Sequence, residues 1–140
     1  MAYSNTPDIK LLPQGAIAEI PKIAEWLQSK EAEFKIVDDI EICKNSNDLA
    51  KVADKFLKKF AKEVTPNPSQ NRLTAIYLDQ PTIVPIDQGW IVDLIPVHVV
   101  EGIVTVEGRQ LDKGHYLHMK EEAWVSGDFY AVLLLTELRG

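Results

Sequence analysis

Apolar residues change their period once along this chain, near residue 65. Before that point they recur at helical spacing. After it, β-branched residues alternate with turn signals. Leu49, Val52, Ala53, Phe56, Leu57, Phe60 and Ala61 fall at i, i+3, i+4 and i+7, which predicts an amphipathic helix over residues 48–63. Ser46 or Asn47 can cap its start, and Pro66 keeps it from continuing. A second helix is predicted from Pro21 to about residue 33, because proline is tolerated in a first turn. Ile23, Trp26 and Leu27 give it an apolar side. Between the two helices, two β-rich runs in residues 34–43 flank Asp38-Asp39 and predict a small hairpin.

Residues 65–71, with two prolines and several small polar residues, read as a linker. Beyond it, short strands are predicted at 73–78, 82–86, 90–94, 97–100, 103–107, 116–119, 123–125 and 130–138. Such spacing points to a barrel or sandwich rather than to parallel βαβ units. The expected fold class is α+β. A helical region at 1–70, with its hairpin, precedes an antiparallel β-barrel at 71–140.

Composition narrows the function classes. The chain has 140 residues, 46% hydrophobic and 26% charged, and is long enough to bury a core. Its net charge is −6. Residues 1–70 carry 10 basic against 11 acidic side chains, and residues 71–140 carry 5 against 10. That balance opposes nucleic-acid binding through the overall field. Cys43 is the single cysteine, so an internal disulfide and a thiolate metal cluster are both excluded. The N-terminus lacks a basic region followed by an apolar run, and the longest apolar run is residues 131–135. Both argue against secretion and membrane insertion, and a cytoplasmic protein is expected.

The stretch VVEGIVTVEGRQLDKGHYL, residues 99–117, spaces its glycines as a barrel's turns would. Starting from Gly89, a frame of two histidine positions, a glutamate and a glycine falls on Ile95, Val97, Glu101 and Gly108. Starting from Gly114, a second frame puts its histidine on Val125. This cadence resembles the two half-motifs of the cupin barrel. The tail from residue 114 onward is similar to the last strands of the cupin sensor domain of some anti-sigma factors. The resemblance covers residues 73–138 and implies a β-roll whose centre would bind a metal. Three of its four ligand positions hold apolar residues here, so the resemblance implies a degenerate, metal-free barrel that keeps only Glu101. SH3-like and OB-like barrels use similar glycine turns.

Other candidates are weighed against blander roles. His115 and His118, with His98, suggest a metal site, but residues three apart on a strand point to opposite faces. Ser126-Gly127-Asp128 lacks a nucleophile elbow and predicts a hairpin turn. Lys51, Lys55, Lys58, Lys59 and Lys62 form a basic helix face, which reads as solvated surface. Trp90, Tyr116 and Trp124 are the candidate binding aromatics, either packed at a rim or interface or lining a pocket.

No confident catalytic set emerges and no metal or cofactor is expected. The leading expectation is a non-enzymatic module that binds a protein partner or assembles as a homo-oligomer. The alternative is a small-molecule-binding enzyme or sensor, with Glu101 as acid or base in a barrel pocket shaped by Tyr116 and Trp124. A pocket around Glu101 would favour the second; a filled barrel with an exposed apolar patch would favour the first.

Overall fold

The computed structural model describes residues 8–37, 40–63 and 71–137. Residues 65–70 of the expected linker at 65–71, and the Asp38-Asp39 turn, lie outside them; Asn71 opens strand β4. Helices α1 (Gln14–Ile17) and α2 (Ile20–Leu27) follow strand β1 (Asp8–Leu11). Strands β2 (Phe34–Val37) and β3 (Ile40–Cys43) come next, then helices α3 (Ser46–Val52) and α4 (Asp54–Glu63). The rest is strand: β4 (Asn71–Leu78), β5 (Thr82–Val84), β6 (Trp90–Val106), β7 (Arg109–Gln110), β8 (His115–Met119) and β9 (Ala123–Glu137).

The expected long helix is present as α3 and α4, joined by a bend at Ala53. The Ala53 N–H still donates to the Leu49 carbonyl, and the Leu57 N–H to the Ala53 carbonyl, both at 2.8 Å. The apolar stripe therefore continues across the bend. Leu49, Ala53, Phe56 and Phe60 are all fully buried. The earlier helix starts beside Pro21 as expected but ends at Leu27. The β2–β3 hairpin forms in the expected place, pairing Phe34 with Cys43 and Val37 with Ile40.

The nine strands of the described residues join one antiparallel sheet in the order β1-β8-β6-β9-β4-β3-β2, with β5 on β9 and β7 on β6. The path ends at β1 and β2, so the sheet is open. The fold is mixed α+β, mostly β. Three strands of the sheet come from the first seventy residues, and β3 pairs directly with β4.

Two long strands organise it. Where the sequence predicts three strands between residues 90 and 107, β6 is a single strand of 17 residues. Where it predicts a hairpin turn at Ser126-Gly127-Asp128, β9 runs on through all three. The turn signals act instead as bulges. Register slips on β6 between Pro96 and His98, between Val99 and Glu101, and between Glu101 and Thr105. Gly127 sits at the bend of β9, with φ +144°. A Cβ there would lie 3.0 Å from the Ile103 carbonyl oxygen, so the two strands approach as only glycine allows.

Each long strand is apolar on both faces and covered on both. On one face Val92, Leu94, Leu117, Ala131 and Leu133 join Val104, Val106 and Val125 in one cluster. Val92 and Val104, twelve positions apart on β6, belong to the same cluster, so the bent ribbon encloses this face. On the other face Ile95, Val97, Tyr116, Val132 and Leu134 pack against Phe56, Phe60, Ile23 and Leu27. The run AVLLL at 131–135 alternates between the two clusters, as strand periodicity requires. The chain's own helices therefore cover the outer face of β9.

Candidate functional site

The residues singled out in the sequence do not converge. Ile95 and Val97 belong to the helix-facing core, while Val125 belongs to the enclosed β core. The three positions that the cupin frame would bring to one metal thus stand on opposite faces of the sheet. Glu101 is exposed at the β6 bend, opposite Asp128. Tyr116 is buried against the helices, its ring 5.1 Å from Phe60 and nearly perpendicular to it. Burial, with a smaller contribution from the charge of Asp93, pushes its phenol up to about 12.

The histidines are likewise separate. His98 is half-buried on β6, its ring 6.3 Å from that of Tyr130. His115 Nδ1 lies 3.3 Å from the Lys113 carbonyl oxygen. His118 Nδ1 lies 2.6 Å from Asp93 Oδ1, and Asp93 is 2% exposed. Among the described residues no group of three or more His, Cys, Asp or Glu side chains is placed to hold a metal ion. On the lysine face, Lys58 pairs with Asp54 at 3.0 Å and Lys59 with Glu19 at 2.9 Å, which holds the Glu19 carboxyl below its usual range. No helix among the described residues is long and apolar enough to cross a membrane.

Three surface features remain. The first surrounds Trp124, which is 53% exposed. Its cross-strand neighbour on β5 is Ile83, 39% exposed. The backbone beneath Trp124 is fixed. Glu107 and Gly108 both take positive φ, +49° and +81°, as a two-residue hairpin turn requires. The Glu107 N–H donates to the Trp124 carbonyl at 2.9 Å, and Glu107 Oε2 accepts the Trp124 N–H at 2.6 Å. Further exposed apolar residues, Val99, Val100 and Ile103, follow the β6 bend.

The second feature is a groove of about 670 Å³ between α2 and β6. Ile20, Pro21 and Ala24 form one wall and Pro96, Val97 and His98 the other. The third is a cavity of about 260 Å³ at the open end of the enclosed face, lined by Trp90, Arg72, Thr74, Asp87 and aliphatic side chains. Trp90 lines this cavity, far along β6 from Glu101. Arg72 and Thr74 carried no signal in the sequence, because their role depends on which face of β4 turns inward.

A row of polar and aromatic residues also went unread. Glu41, Tyr77, Tyr130 and His98 are successive partners across β3, β4, β9 and β6. The Tyr77 hydroxyl donates to Asp128 Oδ1 at 2.5 Å, which raises the Tyr77 pKa. Asp128 therefore braces the strand bend.

No protein-family model and no curated protein matches this chain.

Proposed function

We propose that this chain is a non-enzymatic protein-interaction module that pairs with a second copy of itself along β5, with Ile83 and Trp124 at the centre of the contact. The observation that carries the reading is a tryptophan 53% exposed beside an exposed isoleucine, on backbone pinned by Glu107. Large aromatics on rigid backbone are the usual anchors of interfaces, because little conformational freedom is lost when they dock.

A second copy fits this edge best. Among the described residues β5 pairs only with β9, so its other edge offers backbone donors and acceptors for a further strand. Its three residues, Thr82, Ile83 and Val84, are uncharged. Antiparallel pairing about a two-fold axis at Ile83 sets Thr82 opposite Val84 and brings no like charges together. The two strands at the ends of the sheet path carry charges: Asp8 and Lys10 on β1, Lys35 on β2. Such charges discourage edge-to-edge pairing. The cupin-like description remains part of the proposal. A curled antiparallel sheet with glycine bends supports it, and the separation of Ile95 and Val97 from Val125 departs from it.

Sedimentation velocity over a concentration series tests the reading. The expected wild-type mass rises from 15.8 kDa toward twice that value. Trp124→Ser and Ile83→Lys should each hold the protein at the monomer mass with an unchanged circular dichroism spectrum. A wild-type protein that stays monomeric at several hundred micromolar refutes it.

A further inference from the structure

The row of polar and aromatic residues across the sheet lies just outside the cover of the helices. Two residues inward on β3, β4 and β9, Cys43, Ala75 and Val132 are buried in the helix-facing core. Glu41, Tyr77, Tyr130 and His98 are only half-buried, and Ile36, which continues the row onto β2, is 75% exposed. Three rings surround Tyr130. Tyr77 lies 4.7 Å away and tilted by 42°, Phe34 stands edge-on at 6.1 Å, and His98 is at 6.3 Å. Carboxylates flank the rings. Burial raises the Tyr130 phenol pKa, and the charges of Glu41 and Asp128 add to the rise. Glu101, the cross-strand partner of Asp128, brings a third carboxylate. The row itself holds no lysine or arginine, because Lys35 alternates to the other face of β2. Among the described residues no ion pair engages Glu41, Glu101 or Asp128. Aromatic rings beside uncompensated carboxylates attract cations.

We propose that this sheet face docks a peptide segment of another protein through an arginine side chain laid over the Tyr77–Tyr130 pair. A guanidinium suits the face because it is planar, stacks on aromatic rings and donates to a carboxylate in a fork. Asp128 already accepts the Tyr77 hydroxyl, so Glu41 accepts the fork while Asp128 and Glu101 add attraction. The same three carboxylates repel the phosphates of a nucleic acid. A second copy of this chain is disfavoured here, since each copy carries a net charge of −6. A peptide is favoured over a free cation by what lies beside the row. His98 ends the row and also lines the groove between α2 and β6, with Ile20, Ala24 and Val97. Side chains on one side of an extended peptide are spaced by about 7 Å, close to the 6.3 Å between the Tyr130 and His98 rings. An apolar residue two positions from the arginine therefore reaches the groove. The face shares no residue with the β5 edge, so it stands or fails apart from the pairing proposed above.

Calorimetric titration of the full chain decides it. The probe is the acetylated and amidated peptide Gly-Ser-Arg-Ser-Leu-Ser-Gly. The controls are the same peptide with citrulline for arginine, which keeps the shape and removes the charge, and L-arginine amide alone. Saturable binding of the probe is expected, weakening as sodium chloride is raised, with each control weaker by tenfold or more. Glu41→Gln and Tyr130→Leu should each weaken binding at least fivefold. Glu41→Gln keeps the size of a half-buried side chain, so its melting temperature should match the wild type, which separates lost binding from lost folding. Absence of saturable heat with the probe at millimolar concentration overturns the proposal. So does a citrulline peptide that binds as tightly, or undiminished binding by Glu41→Gln. Equal binding of L-arginine amide also overturns it, by showing a site for small cations instead of a peptide surface.

Discussion

Asp93 Oδ1 lies 2.6 Å from His118 Nδ1, a pairing set directly by the β6–β8 register, in which the two residues are partners. Asp93 is 2% exposed, and the His118 side chain 18%. A carboxylate so placed depends on its partner, because removing either half leaves a buried polar group alone. Asp93→Ala and His118→Ala should each lower stability by about 3 kcal/mol. The double variant should cost less than the sum of the two, which a urea-denaturation double-mutant cycle measures. Additive losses would show that the pair does not act as a unit.

Tyr116 gives the stability a pH dependence. Burial raises its folded pKa from 10.0 to about 12, with the Asp93 charge adding to the shift. Below the unfolded value both states hold the proton, and the stabilisation is fully present. As pH rises through the folded value, the unfolded chain has already ionised and stability falls. Tyr77 and Tyr130 are shifted the same way. The urea midpoint should therefore drop between about pH 10 and pH 12, and drop less in Tyr116→Phe.

Phe56 and Phe60 stack at 5.6 Å between the helices and the sheet, both fully buried. Phe56→Ala should cost about 3–5 kcal/mol in chemical denaturation. Lys55 is exposed on the opposite side of α4, and Lys55→Ala should change stability by less than about 0.5 kcal/mol. Equal losses from the two substitutions would contradict the packing of α4.

How much of this was legible follows from what each signal encodes. The stripe from Leu49 to Phe60 depends only on local periodicity, and it placed α3 and α4 and their buried face correctly. The hairpin around Asp38-Asp39 was readable for the same reason. Gly102 and Gly127 misled, because a glycine marks a positive φ without saying whether the chain reverses or merely bends. Here Glu101 faces Asp128 across β6 and β9, so both long strands bend at one level and neither reverses. Strand β1 was missed because four residues with only Ile9 turned toward a core leave almost no pattern. Trp124 could be singled out as a large aromatic near glycine turns. Its neighbour Ile83 could not, since their adjacency arises from the pairing of β5 with β9. The cavity wall of Arg72, Thr74 and Asp87 likewise exists only after β4 and the segment before β6 converge.

Cys43 is 3% exposed, and desolvation raises its thiol pKa. The thiolate is the reactive form, so alkylation of the native protein should be slow at neutral pH. Labelling with iodoacetamide should be near complete in denaturant and slower by at least about 100-fold without it. Native labelling at the denatured rate would mean that β3 and α3 open readily.

The coordinated bend of β6 and β9 makes the sharpest demand on sequence. Gly127 holds φ +144°, and an added Cβ would meet the Ile103 carbonyl oxygen at 3.0 Å and Val104 Cα at 3.2 Å. Both are backbone atoms, so no side chain can swing aside to relieve the contact. Gly102, at φ +73°, has nothing within 4 Å of its added Cβ, so conformation alone opposes a substitution there. Gly102→Ala should therefore cost about 1–2 kcal/mol, the price of a left-handed alanine. Gly127→Ala combines that strain with overpacking and should cost at least about 3 kcal/mol. Thermal denaturation of the two variants side by side measures the difference. If Gly127→Ala costs no more than Gly102→Ala, the close approach of the two strands at the bend is not a constraint. The enclosed β core would then need another explanation for how β6 and β9 turn together.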